Sequence, residues 1–132
     1  MTTLTRAPDR ITRVVRAAEI TELTLQQTEL RAMDADRLRA ELVALHRPGH
    51  PARIILSLAG MGTLSGTCLG TLTEVAEGLA RAGGSLVLSE VPSEAAKVLK
   101  RSGLARKLPI ARSPDHARRL AGAARKHTNQ AA

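Results

Sequence analysis

Apolar and polar positions along the chain fall into short blocks, and the period within each block predicts its structure. Thr12 to Gln26 is rich in Val, Ile, Thr and Leu and reads as two short strands joined near Ala17–Glu19. Asp34 then offers a helix N-cap, and Leu38, Leu42 and Leu45 follow at spacings of four and three, one face of a helix. His46 and Arg47 place positive charge at its C-terminal end, and Pro48-Gly49 stop it. Arg53 to Leu58 is apolar almost throughout, with β-branched residues, as in a strand covered on both faces of a parallel sheet. A glycine-rich loop follows from Ala59 to Gly66. Leu69, Leu72, Val75, Ala76 and Leu79 mark a second amphipathic helix, ended by Gly83-Gly84. Ser85 to Leu88 is another buried strand. Pro92-Ser93-Glu94 opens a third helix carrying Ala95, Val98 and Leu99, with Gly103 past its end. Leu108-Pro109-Ile110 fits only a short edge strand, because proline cannot donate to a ladder. Ser113-Pro114-Asp115 starts a last helix: a cap, proline at the first helical position, then an acid.

The resulting order is ββαβαβαβα. Strands that alternate with helices imply an α/β fold with a mainly parallel sheet of four to five strands, and right-handed crossovers lay helices on its faces. No internal repeat or linker divides the chain. The expected organisation is a flexible N-terminus over 1–10, one domain over 11–125 and a flexible basic tail over 126–132.

Composition narrows the function. The chain has 132 residues, 43% apolar and 24% charged, as in an average globular domain. Its apolar runs are far below the roughly 20 residues that span a bilayer, and no apolar segment of a secretory signal opens the sequence. Cys68 is the one cysteine, so no internal disulfide forms, which fits a reducing cytoplasm. Phe, Tyr and Trp are absent. The core must therefore be aliphatic, and a platform that stacks single-stranded nucleic acid on aromatic rings is excluded. The net charge of +8 is uneven. Residues 1–96 carry ten Arg against eleven acids, whereas 97–132 carry ten Lys or Arg against Asp115 alone. A basic appendage of that kind attracts acidic protein, nucleic acid or anionic lipid, although a solvated helix face is the commoner role.

Candidate chemistry is sparse. His46, His50, His116 and His127 form no metal-ligand pattern with each other or with Cys68, so neither a metal nor another cofactor is expected. Ser65 and Cys68 lie between a strand and a helix, where nucleophiles often sit. A Gly-x-Ser-x-Gly elbow, however, needs glycine at 63 and 67, and both positions are threonine. Cys68 reads as a small core residue of the helix instead. Gly60-x-Gly62-x-x-x-Gly66 resembles a dinucleotide fingerprint superficially. Its spacing is one residue too long, and its strand is not the first of the chain. The glycines also serve a tight turn and close helix packing. Thr63, Ser65 and Thr67 put three hydroxyls at a helix N-terminus, where one caps the helix and a phosphate would meet free N–H groups.

Residues from about 53 to 121 resemble the STAS domain, the fold of bacterial anti-sigma factor antagonists and of sulfate-transporter tails. The resemblance rests on Ile54–Met61, Leu64–Leu72, Ala82–Leu88, Val98–Leu104 and Leu108–Ile110 in that order. It implies a non-enzymatic cytoplasmic switch of bacterial transcription that docks on an anti-sigma factor which is also a serine kinase, and that leaves it on phosphorylation. The family reads Asp-Ser-Ser-Gly-Leu-Gly at the loop. Here Ser65 stands at the Asp position, Gly66 at the usual acceptor position, and Thr67 follows. The resemblance thus makes Gly62, Thr63, Leu64, Ser65, Gly66 and Thr67 the partner-binding loop, with the exposed side of the 67–82 helix beside it. Ser65 or Thr67 is the substitute acceptor, or the chain binds without this switch. Two alternatives stay open. One is a STAS scaffold module that uses 97–132 as its contact with an acidic protein surface. The other is a binder of a small anion or nucleotide at the glycine-rich loop.

Overall fold

A computed structural model of the chain describes residues 12–17, 20–26, 28–46, 49 and 51–131, with backbone alone for 13–17 and 123–131. The expected N-terminal segment 1–10 lies outside the described residues, as do Ala18 and Glu19 of the strand joint and Pro48 of the Pro48-Gly49 helix stop.

Strands β1 (Thr12–Ala17) and β2 (Ile20–Leu25) pair antiparallel. A two-residue strand β3 (Glu29–Leu30) precedes a single 3-10 turn and helix α1 (Ala35–Val43). β4 (Arg53–Ser57) then runs parallel to β2, and after a two-residue β5 (Thr63–Leu64) helix α2 (Gly66–Arg81) returns the chain to β6 (Ser85–Ser89), parallel to β4. Helices α3 (Ser93–Ser102) and α4 (Pro114–Ala131) follow. The sheet order is β1-β2-β4-β6, and β3 and β5 pair parallel as a separate small ribbon.

The fold class is as the periodicity implies. The expected edge strand at 108–110 is reduced to one parallel bridge, Leu88 with Ile110. Leu88 N–H donates to the Pro109 carbonyl and Ala111 N–H to the Leu88 carbonyl. Proline removes the donor that a longer ladder would need.

The two faces of the sheet are covered unequally. On one, α1 and α2 pack against each other over Leu23, Ile54, Leu56, Leu86 and Leu88, a core of leucines closed at the sheet edge by Leu99 and Leu108. On the other, α4 crosses β4 and β6, and its Ala117 and Ala121 lie on Ile55 and Val87. Small residues let that helix approach the strands closely.

Local expectations are corrected at three places. Asp34 stands at the N-cap position of α1, as expected, but its side chain makes no capping bond to the helix. Its backbone is already helical, and its carboxylate reaches back to accept from Arg31 N–H at 2.9 Å, closing the 3-10 turn ahead of α1. Helix α1 ends at Val43, so His46 follows a turn rather than ending the helix. Val98 does not join the buried face of α3. It is 42% exposed, while Ala95 and Leu99, four residues apart on one stripe, are buried.

Candidate functional site

The loop from β4 to α2 is built by alternating inward and outward residues. Leu58 and Met61 are buried and hold it to the core, while Ala59 and Gly60 are exposed. Met61 N–H closes the turn on the Leu58 carbonyl at 3.0 Å, and Gly60 takes φ +78°, a left-handed conformation that glycine adopts without strain. The chain then leans on the β3 segment. Gly62 and Thr63 both donate to the Thr28 carbonyl, at 2.7 and 3.2 Å, and Ser65 N–H donates to the Leu30 carbonyl at 2.9 Å. These bonds extend the β3–β5 ribbon and fix the loop on the body of the protein. Neither short strand has a period that a sequence reading can detect.

Of the six loop residues expected to meet a partner, Gly62, Thr63, Gly66 and Thr67 are exposed, and Leu64 and Ser65 are half-buried. The two candidate hydroxyls differ in their engagement. Ser65 is the N-cap of α2, and its Oγ accepts from Cys68 N–H at 3.1 Å. Thr67 lies two positions on, exposed, among N–H groups that the helix leaves open at its start. A Cβ at Gly66 would meet nothing within 4 Å. Ser65→Ala removes the cap and is expected to cost about 1 kcal/mol of unfolding free energy. Urea denaturation checks it, and an unchanged midpoint would contradict the assigned cap.

Cys68 is fully buried and donates its thiol to the Arg31 carbonyl at 3.2 Å, tying α2 to the 3-10 turn. Burial pushes its pKa up, the Asp34 charge adds to this, and the Ser65 hydrogen bond opposes it. The protonated thiol is therefore the native form at neutral pH. Iodoacetamide should leave Cys68 unmodified in the folded protein at pH 8 and react once urea unfolds it. The sign on stability follows. With the folded pKa above the unfolded one, the unfolded state loses its proton first, so stability falls as pH rises through the ordinary thiol range and beyond. Below that range Cys68 contributes no pH dependence.

An open hollow of about 480 Å³ adjoins the loop, lined by Gln26, Thr28, Glu29, Arg31, Met33 and Asp34. Glu29 and Arg31 form an ion pair across it at 3.3 Å, and Met33 on its rim is 77% exposed. Of these residues the sequence singles out Asp34 alone, and only as a helix cap. The one signal of a hollow is Met33, a large apolar side chain set among Arg31, Asp34, Asp36 and Arg37. Among the described residues no group of three or more His, Cys, Asp or Glu side chains could hold a metal ion. No helix of the described residues is long and apolar enough to cross a membrane.

A family model described as "Mlab, STAS domain" matches residues 12–110. Among solved structures, an anti-sigma factor antagonist from Mycobacterium paratuberculosis aligns with a TM-score of 0.72 at 18% identity, over 87% of this chain and 97% of that one. An anti-sigma-factor antagonist (STAS) domain protein from Planctomyces limnophilus aligns at 0.70 and 16% identity, over 80% and 92%. The murine solute carrier 26 family member A9 anion transporter aligns at 0.68 and 14% identity, over 92% of this chain and 22% of the transporter. At these identities the likeness is one of fold. No curated protein matches the chain.

Proposed function

The chain belongs to the STAS domain family, and on that premise we propose that it is a non-enzymatic regulator that binds a protein of the anti-sigma factor or serine-kinase class. The contact surface is the 60–67 loop and the first turn of α2. The observation that carries this reading is the loop's construction: exposed Gly62, Thr63, Gly66 and Thr67 on a backbone pinned by three hydrogen bonds to Thr28 and Leu30. A surface held rigid before contact loses little entropy on docking. Two neighbours in fold that are anti-sigma factor antagonists support the partner class.

The regulated hydroxyl in this reading is Thr67. Ser65 is engaged as a cap, and Gly66 has no hydroxyl to offer. A phosphate on Thr67 adds about −1.5 to −2 charges beside the helix N-terminus, which stabilises the modified helix while changing the surface the partner meets. The test is incubation with a kinase-type anti-sigma factor from the same genome and ATP, with phosphosite mapping and binding by calorimetry. The expected results are phosphate on Thr67 and binding about ten-fold weaker or worse for Thr67→Glu. Ser65→Ala should still bind. A complex that holds equally with Thr67→Glu sinks the switch, and failure to bind any such kinase sinks the docking.

The second reading, an electrostatic scaffold contact, is favoured by one observation. Lys100, Arg101, Arg106, Arg112 and Arg119 have no ion-pair partner among the described residues. In that reading reversing the charge of Lys100, Arg101 and Arg106 to Glu loses an acidic protein partner, and parent binding falls steeply with salt.

A further inference from the structure

The sheet has two edges, β1 and β6. At β6 the chain itself closes part of the edge, where Leu88 bonds to Pro109 and Ala111. Among the described residues no strand lies outside β1. The backbone shows which groups face that side. β1 and β2 pair from Thr12 with Leu25 to Ala17 with Ile20, across the joint at Ala18-Glu19. In so tight a hairpin the last pair exchanges both hydrogen bonds, and bonded pairs alternate along the ladder. Ala17, Val15 and Arg13 therefore bond to β2, and Thr12, Val14 and Arg16 turn their N–H and C=O groups to the outer edge. Thr12 bears this out. Its N–H donates to the Glu41 carboxylate of α1 at 3.0 Å. Beyond it, Val14 and Arg16 present their outward groups with no strand among the described residues to take them up.

An open edge is a template for a further extended chain. The residues along it define which chain. β1 reads Thr-Arg-Val-Val-Arg-Ala, with two arginines and with no proline or glycine to bar a ladder. Arg37 of α1 is exposed one turn before Glu41 on the same stripe, so a third cation flanks the edge. The acids nearby are already engaged. Glu41 is held by Thr12, and Glu22, in register with Val15, faces Arg118 at 3.9 Å. The bond from Thr12 to Glu41 also shows what this edge accepts, a carboxylate over an outward N–H. A second copy of β1 would bring Arg13 and Arg16 alongside their own counterparts, and like charges on neighbouring strands repel. A segment carrying Asp or Glu meets the opposite charge at the same positions.

We propose that the outer edge of β1 binds an acidic extended segment of a partner protein by strand addition, with Val14 and Arg16 making the backbone bonds. The proposal does not rest on the 60–67 loop. Its test is an NMR titration of the full chain with the capped peptide Glu-Val-Glu-Val-Glu-Val and with Lys-Val-Lys-Val-Lys-Val. The expected result with the glutamate peptide is a saturable shift of the Val14 and Arg16 amides, with their hydrogen exchange slowed about ten-fold or more. The lysine peptide should do neither. Val14→Pro removes an outward N–H without touching a bond to β2, and should bind about ten-fold more weakly. Arg13→Glu combined with Arg16→Glu leaves the backbone whole and should bind at least as weakly. Lys100→Glu combined with Arg101→Glu should bind as the parent does, which separates this edge from the basic segment. The proposal is overturned by unmoved Val14 and Arg16 amides, by equal binding of the lysine peptide, or by undiminished binding in a folded variant of the edge. Loss of binding in the Lys100→Glu, Arg101→Glu variant overturns it too. So does slow exchange of both amides in the free chain, which would mean that the edge is already covered by the chain itself or by a second copy.

Discussion

Leu56→Ala lowers the unfolding free energy by about 3 to 4 kcal/mol, whereas Val43→Ala changes it by about 0.5 kcal/mol or less. Leu56 sits mid-strand in β4, in register with Leu23 of β2 on one side and Leu88 of β6 on the other. All three are 1% exposed or less and form a row across the sheet in the same core cluster as Leu69 and Leu72 of α2. Truncation to alanine removes the transfer energy of three carbons and leaves a cavity that the strand neighbours cannot close, since their backbones are held by the ladder. The core contains no aromatic ring that could swing into the space. Val43 has the same chemistry but is 54% exposed at the end of α1, so little burial is lost there. Urea unfolding of both variants decides it. A Leu56→Ala cost below about 1 kcal/mol would mean the sheet does not pack as described.

Gly84→Ala is the second large effect, about 3 kcal/mol, by overpacking rather than by a cavity. A Cβ at Gly84 would lie 2.1 Å from the Ala52 carbonyl oxygen. Neither side can retreat freely. The same Ala52 oxygen accepts from Ser85 N–H at 3.0 Å to start the β4–β6 pairing, and Gly84 N–H donates to the Leu79 carbonyl at 2.7 Å. For a domain of this length the expected fall in Tm is roughly 10 °C. Gly66→Ala is the control, because its Cβ enters open space and alanine favours a helix over glycine. Its Tm should hold or rise. Equal losses at both glycines would refute the close approach at Ala52.

The two glycines show where a sequence reading stops. Both belong to glycine-containing turns next to an amphipathic helix, and nothing in their neighbours distinguishes them. One abuts a carbonyl just ahead of β4, more than thirty positions away, and the other faces solvent. The hydroxyls are parallel. Ser65 and Thr67 were equal candidates in the sequence, and only the cap on Cys68 N–H separates an engaged oxygen from an exposed one. Met33 and the hollow beside it stayed hidden for a related reason. The β3–β5 ribbon that gathers them is two residues per strand, too short to carry a period.

What the order of residues determined alone is the four longer strands and the four helices, the mainly parallel sheet and an aliphatic core. Each follows from the spacing of apolar side chains within a few positions, and local geometry converts spacing directly into a face. Tertiary structure decided which loop oxygen is free, which glycine is indispensable, and that α1 stands beside the outer edge of β1. Those outcomes depend on contacts between residues distant in the chain, whose distances are set by strand register and helix packing together, and no local pattern encodes them.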